Sequence, residues 1–132
     1  MRAVIQRVSR AEITIDHQEV RSIGQGLVVF LGVLKGDTEK QAEFLAEKVQ
    51  GLGIFTDEND KMKLSLEDIH GELLVVSNLT LGTDCKKGRR PSFDMAAPPE
   101  EAQRLYLHFV EHAKALGIAK VETRGFGAHM DV

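Results

Sequence analysis

Leu27-Val28-Val29-Phe30-Leu31-Gly32-Val33 is an apolar run with no polar alternation. A strand with one wet face alternates polar and apolar residues, whereas a run without alternation suits a strand covered on both faces. It is far shorter than the ~20 residues of a membrane span. Gly24 and Gly26 stand just before it and signal a turn or bulge. Upstream, Ala3, Ile5 and Arg7 alternate against Val4, Gln6 and Val8, and Glu12-Ile13-Thr14-Ile15-Asp16 alternates polar and apolar. Residues 2–34 therefore read as strands.

Downstream the period changes. Asp37 is placed to N-cap a helix, with Lys40 at the third helical position where a full capping box would want Glu or Gln. Ala42, Leu45, Ala46, Val49 and Leu52 recur at three- and four-residue steps, one apolar stripe of an amphipathic helix that Gly51 and Gly53 end. Ile54-Phe55-Thr56 is a short strand, residues 57–60 a turn, and residues 71–81 a long strand. Residues 82–98 read as an ordered, irregular loop, and loops of that length are usually functional. Pro98 and Pro99 open a second helix. Its stripe is Ala102, Leu105, Tyr106, Phe109, Val110, Ala113 and Leu116, and Gly117 caps it. Lys120 to Thr123 is a strand, and Phe126 to Val132 starts another. Strand groups punctuated by two helices predict an α/β protein with layered mixed sheets and its helices on one side.

The chain has 132 residues, a single domain by size. Its N-terminus, Met1-Arg2-Ala3-Val4-Ile5-Gln6-Arg7, lacks the apolar core of a signal peptide. The lone cysteine, Cys85, has no internal disulfide partner, which suits the cytoplasm. A net charge of -3 argues against a general nucleic-acid coat protein but leaves room for a local basic site.

Several candidates for chemistry fall away on inspection. His108 and His112 have metal-ligand spacing, yet they lie off the apolar stripe and supply two of the three or four ligands a zinc ion needs. They read as a solvated helix face, and no metal or cofactor is expected. Cys85 has Lys86 and Lys87 beside it but no nearby histidine to act as base. Two segments remain. Ser77-Asn78-Leu79-Thr80-Leu81 closes the long strand; read plainly, it is good strand former plus a bend. Lys86-Lys87-Gly88-Arg89-Arg90-Pro91 packs four cations into five residues, and reads equally as solvated surface or as phosphate contact.

An ordered series of motifs resembles the D-aminoacyl-tRNA deacylase family, also called D-tyrosyl-tRNA deacylases, over essentially the whole chain. The series is Ile5-Gln6-Arg7-Val8, Gly24-Gln25-Gly26-Leu27, Leu31-Gly32-Val33, Ile54-Phe55 with Lys61-Met62 and Leu64, Val75-Val76-Ser77-Asn78-Leu79-Thr80-Leu81, Lys87-Gly88-Arg89-Arg90-Pro91-Ser92-Phe93 and Phe126-Gly127-Ala128-His129-Met130. The resemblance implies a three-layer β/β/α fold with two main helices, a homodimer, and hydrolysis of the ester of D-aminoacyl-tRNA. It implies a carbonyl held over Leu79-Thr80, with Ser77 and Asn78 beside it, main-chain amides as oxyanion hole and help from the tRNA 2'-hydroxyl. It also implies Phe126 and Met130 against the terminal adenine, and Lys86, Lys87, Arg89 and Arg90 on tRNA phosphates. Asn78 stands where the family has Gln, and Leu79 where it has Phe; both side chains are smaller. The family continues into a final strand with a Gly-Pro dipeptide that rejects L-amino acids across the dimer. The prolines here follow Arg90, Ala97 and Pro98, so either that strand and filter lie in a further dozen or so residues beyond Val132, or chiral selection is impaired. A reading from another class is a degenerate deacylase fold that binds nucleic acid or protein without hydrolysis. A generic small-molecule hydrolase is disfavoured, because no nucleophile–base pair stands out.

Overall fold

A computed structural model describes residues 1–15, 19–59, 61–77, 97–123 and 130–131. Residues 2–34 form four strands: β1 (Arg2–Val8), β2 (Ala11–Ile15), β3 (Glu19–Ile23) and β4 (Gly26–Gly32). They are followed by α1 (Glu39–Gly51), β5 (Phe55–Thr56), β6 (Met62–Leu64), β7 (Glu72–Ser77), α2 (Pro99–Ala115), β8 (Val121–Thr123) and β9 (Met130–Asp131). The hairpin of β5 with β6 was not foreseen, because three residues are too few to show a period.

The central sheet has the order β1-β4-β7-β8. β1 runs antiparallel to β4, whereas β4, β7 and β8 are parallel. Both parallel crossovers step the same way across the sheet, and both carry a helix. Crossovers of one hand then put both helices on one face. Burial agrees. Leu27, Val29, Leu31, Leu73 and Val75 pack with Ala42, Ala46 and Val49 of α1 and with Tyr106, Phe109, Val110 and Ala113 of α2. Their neighbours in the strands point the other way, as the two-residue period requires. Val28, Leu74 and Val76 pack with Ile13 and Ile23 of a second sheet, β3-β2-β9. The result is three layers, sheet on sheet on helices, as the resemblance implied.

The apolar run of β4 is thus covered on both faces by its own chain. The second sheet supplies the cover on one face and the helices on the other, so the burial of this strand is no argument for a partner subunit.

Two local features depart from expectation or sharpen it. The N-cap of α1 is Thr38, not Asp37. The main-chain N–H and the hydroxyl of Thr38 both donate to Gln41 Oε1, at 2.5 and 2.6 Å, so the shift of one residue puts Gln41 where the capping box wants it. Asp37 is drawn away by a partner distant in sequence, the α-ammonium of Met1, at 2.7 Å. Gly26 opens β4 against Glu72, and a Cβ there would lie 1.8 Å from the Glu72 carbonyl oxygen. Close approach of two backbones is the reason for glycine at that position. Pro98 and Pro99 begin α2 and Gly117, at φ 88°, follows its C-cap, both as expected.

Candidate functional site at the carboxyl edge of the sheet

Parallel strands leave their carboxyl ends on one edge, and α/β proteins place ligands there. In this chain β4, β7 and β8 end on that edge at Gly32, Ser77 and Thr123. The register is explicit. Ser77 stands opposite Leu31, and Thr123 opposite Val75. Ser77 is half-buried at the mouth of a deeply buried strand, since Leu73 to Val76 are all buried.

Several contacts hold this edge. Tyr106 of α2 is buried, and its hydroxyl donates to the Val75 carbonyl at 2.8 Å, two residues before Ser77. Arg21 of β3 donates to the carbonyl of Thr123 and ties the second sheet to the end of β8. The N–H of Ala97 donates to the Val33 carbonyl at 3.0 Å. That bond fixes where the segment carrying the basic cluster returns to the sheet. Ala97 and Val33 are then buried with Ala102 and Leu105 of α2.

Among the described residues, the acidic groups on this edge are paired. The Asp37 carboxylate accepts from the Met1 ammonium and, at 2.7 Å, from the Leu34 N–H. Glu39 pairs with Arg104, and Glu101 lies 3.9 Å from the same guanidinium. The main-chain hydrogen bond at Glu39 and then the Arg104 guanidinium hold the Glu39 carboxyl below the usual carboxylate range. Farther along the same helix pair, His108 meets Glu43 and His112 meets Glu47, each at 3.3 Å. These histidines are therefore interhelix partners rather than a merely solvated face. Among the described residues no group of three or more metal-ligating side chains is assembled. The offset of 65 residues repeats in all three pairs because α1 and α2 run parallel. An open hollow of about 410 Å³ beside Phe44, Lys48 and Leu52 flanks the far half of α1, away from the strand ends.

Of the candidate residues, Ser77 is the last described residue of β7. Met130 begins β9 opposite Ile15 in the second sheet. Asn78, Leu79, Thr80, Lys86, Lys87, Arg89, Arg90 and Phe126 lie outside the described residues. The segments that hold them leave from Ser77 and Thr123, the ends of neighbouring strands. Sequence reasoning missed Arg21 and Asp37 as edge-forming residues. Neither carried a signal, because their partners are 102 and 36 residues away.

The fold defines a class: a three-layer β/β/α protein whose central sheet carries parallel strands ending on one edge. Comparison with known proteins narrows this to a family. The D-Tyr-tRNA(Tyr) deacylase profile matches residues 4–132. A D-aminoacyl-tRNA deacylase of Thermotoga petrophila is 54% identical over 132 residues, covering 100% of this chain and 88% of the relative. One of Pelobacter propionicus is 57% identical over 119 residues, 90% of this chain and 82% of the relative. A solved structure named c-Myc DNA Unwinding Element Binding Protein superposes with a TM-score of 0.92 at 36% identity, covering 99% of this chain and 89% of its own. A structure described as a probable eukaryotic D-amino acid tRNA deacylase shares the fold, with a TM-score of 0.83 at 14% identity, over 98% of this chain and 91% of its own. The chain belongs to the D-Tyr-tRNA(Tyr) deacylase family.

Proposed function

We propose that this chain hydrolyses the ester joining a D-amino acid to tRNA, releasing free D-amino acid and tRNA, as a step of translation quality control in the cytoplasm. The observation that carries the reading is Ser77 at the carboxyl end of the buried parallel strand β7, from which the family's signature segment continues. An aminoacyl ester is already activated. Hydrolysis then needs chiefly a fixed carbonyl and donors aimed at the developing oxyanion, each donor contributing roughly 10²–10³ in rate. Main-chain N–H groups at Leu79 and Thr80 serve as those donors, flanked by Ser77 and Asn78, and the 2'-hydroxyl of the terminal adenosine assists the attacking water. Phe126 and Met130 hold the adenine. Lys86, Lys87, Arg89 and Arg90 meet phosphates. No described helix is long and apolar enough to cross a membrane. The working unit is a homodimer.

Single-turnover hydrolysis of D-Tyr-tRNA and L-Tyr-tRNA tests this directly. Rapid release from the D-ester supports it, and no release above the spontaneous rate from either sinks it. One observation favours a second reading, a nucleic-acid-binding module without hydrolysis: a neighbour at 36% identity is named as a DNA-binding protein. Tight binding of single-stranded DNA with no hydrolysis of either ester would select that reading.

A further inference from the structure

Lys35 stands on the carboxyl edge and has no ion-pair partner among the described residues. It occupies the turn Leu34-Lys35-Gly36-Asp37, which is pinned at both ends. The N–H of Asp37 donates to the Leu34 carbonyl at 3.1 Å, and the N–H of Leu34 donates to the Asp37 carboxylate at 2.7 Å. Gly36 takes the positive φ of 86° that the turn requires. The Asp37 carboxylate is in turn held by the Met1 ammonium, so it is occupied and is not the partner of Lys35. Glu39 and Glu101 are engaged by Arg104. The nearby acids Asp37, Glu39 and Glu101 are therefore matched, while exposed Lys35 is left over. Its position is as informative as its charge. Ala97, where the chain returns after the basic cluster, is bonded to Val33, two residues before Lys35. Leu31, four residues before Lys35, is opposite Ser77.

We infer that Lys35 is a tRNA-contacting residue that meets backbone phosphate beyond the terminal nucleotide, on an element separate from the basic cluster at 86–90. The inference rests on the proposed tRNA substrate. With strands about 4.8 Å apart and a rise of about 3.3 Å per residue, the Lys35 backbone lies at most about 14 Å from Ser77. An ammonium there is within reach of the nucleic-acid strand that delivers an ester held beyond Ser77. The preformed turn fixes the backbone that carries the exposed ammonium, and the contribution of that charge is electrostatic and falls with salt.

The test compares wild type with Lys35→Glu on two substrates, D-Tyr-tRNA and D-tyrosyl-adenosine, which keeps the ester and lacks the phosphates. Lys120→Glu, at the amino end of β8, makes the same charge change on the opposite edge. Binding of deacylated tRNA is measured in parallel across a salt series. Lys35→Ala should reduce the slope of log Kd against log salt by about 1. Lys35→Glu should raise KM for D-Tyr-tRNA roughly ten-fold, the size of about one lost charged contact, and should have a much smaller effect on D-tyrosyl-adenosine. Lys120→Glu should retain the wild-type slope. An unchanged tRNA slope in Lys35→Ala overturns the inference, as does an equal loss on both substrates. If wild type cleaves neither ester, the proposed hydrolysis fails instead, and the salt slope on deacylated tRNA still decides for or against Lys35.

Discussion

Asp37 shows how one side chain can serve two elements at once. It lies at the start of α1, where an acidic residue is ordinary, but its carboxylate joins the Met1 ammonium in a pair with side-chain exposures of 2% and 9%. Removing one partner of a buried pair strands the other, at a cost of about 3–5 kcal/mol. Asp37→Ala should therefore lower the stability measured by urea unfolding by an amount in that range, and a loss below about 0.5 kcal/mol would show the pair to be solvated. Thr80 is predicted to behave in the opposite way. If main-chain amides hold the oxyanion, they survive Thr80→Ala, and kcat should fall only moderately, by less than the 10²–10³ that deleting one donor costs. Abolished turnover with tRNA binding intact would favour a hydroxyl nucleophile.

Helices α1 and α2 lie parallel because each belongs to a crossover between parallel strands. Their pairs Glu39–Arg104, Glu43–His108 and Glu47–His112 repeat every fourth residue on both helices, one turn apart. Such spacing is visible in the sequence on each helix separately. The facing helix is not, which is why His108 and His112 looked merely solvated. The Glu39 rung has a consequence for pH. Its carboxyl is held below the usual value in the folded protein, so the unfolded chain takes up the proton first as pH falls. The contribution is therefore complete above the ordinary Glu pKa of about 4.3 and is lost below it, as pH falls through the folded value. Glu39→Gln should flatten the decline of the unfolding midpoint between about pH 5 and pH 3, where a paired carboxylate is being protonated. An identical acid limb in the variant would remove Glu39 from the account. Since the group is solvent-exposed, screening by salt should shrink the difference.

At the scale of the molecule, the three layers bury both faces of the central strands without help from a second subunit. What remains exposed is informative in another way. Val4 of β1 is 51% exposed and stands opposite half-buried Phe30, where the second sheet does not reach fully. Val20 of β3 is 58% exposed. If the working unit is a dimer, light scattering at micromolar concentration should return twice 14.6 kDa. A single chain mass would count against the dimer and against a site completed by its partner.

The layer order was legible because burial imposes a period. The unalternated run from Leu27 to Val33 demanded two covered faces, the three- and four-residue stripes demanded helices, and both follow from geometry within one element. The strand that leads to Ser77 was legible for the same reason, whereas the role of the segment beginning there came only from the family resemblance. Short elements such as β6 were not, since three residues carry no period. Nor were the pairings that shape the edge: Met1 with Asp37, Arg21 with the Thr123 carbonyl, Ala97 with Val33. A hydrogen bond or ion pair between distant residues leaves no spacing to read. By itself the sequence determined which residues turn inward and which family the motifs resemble. Only the tertiary structure decided which of the described charges on the carboxyl edge are spent on one another, because charge is matched through space and not along the chain.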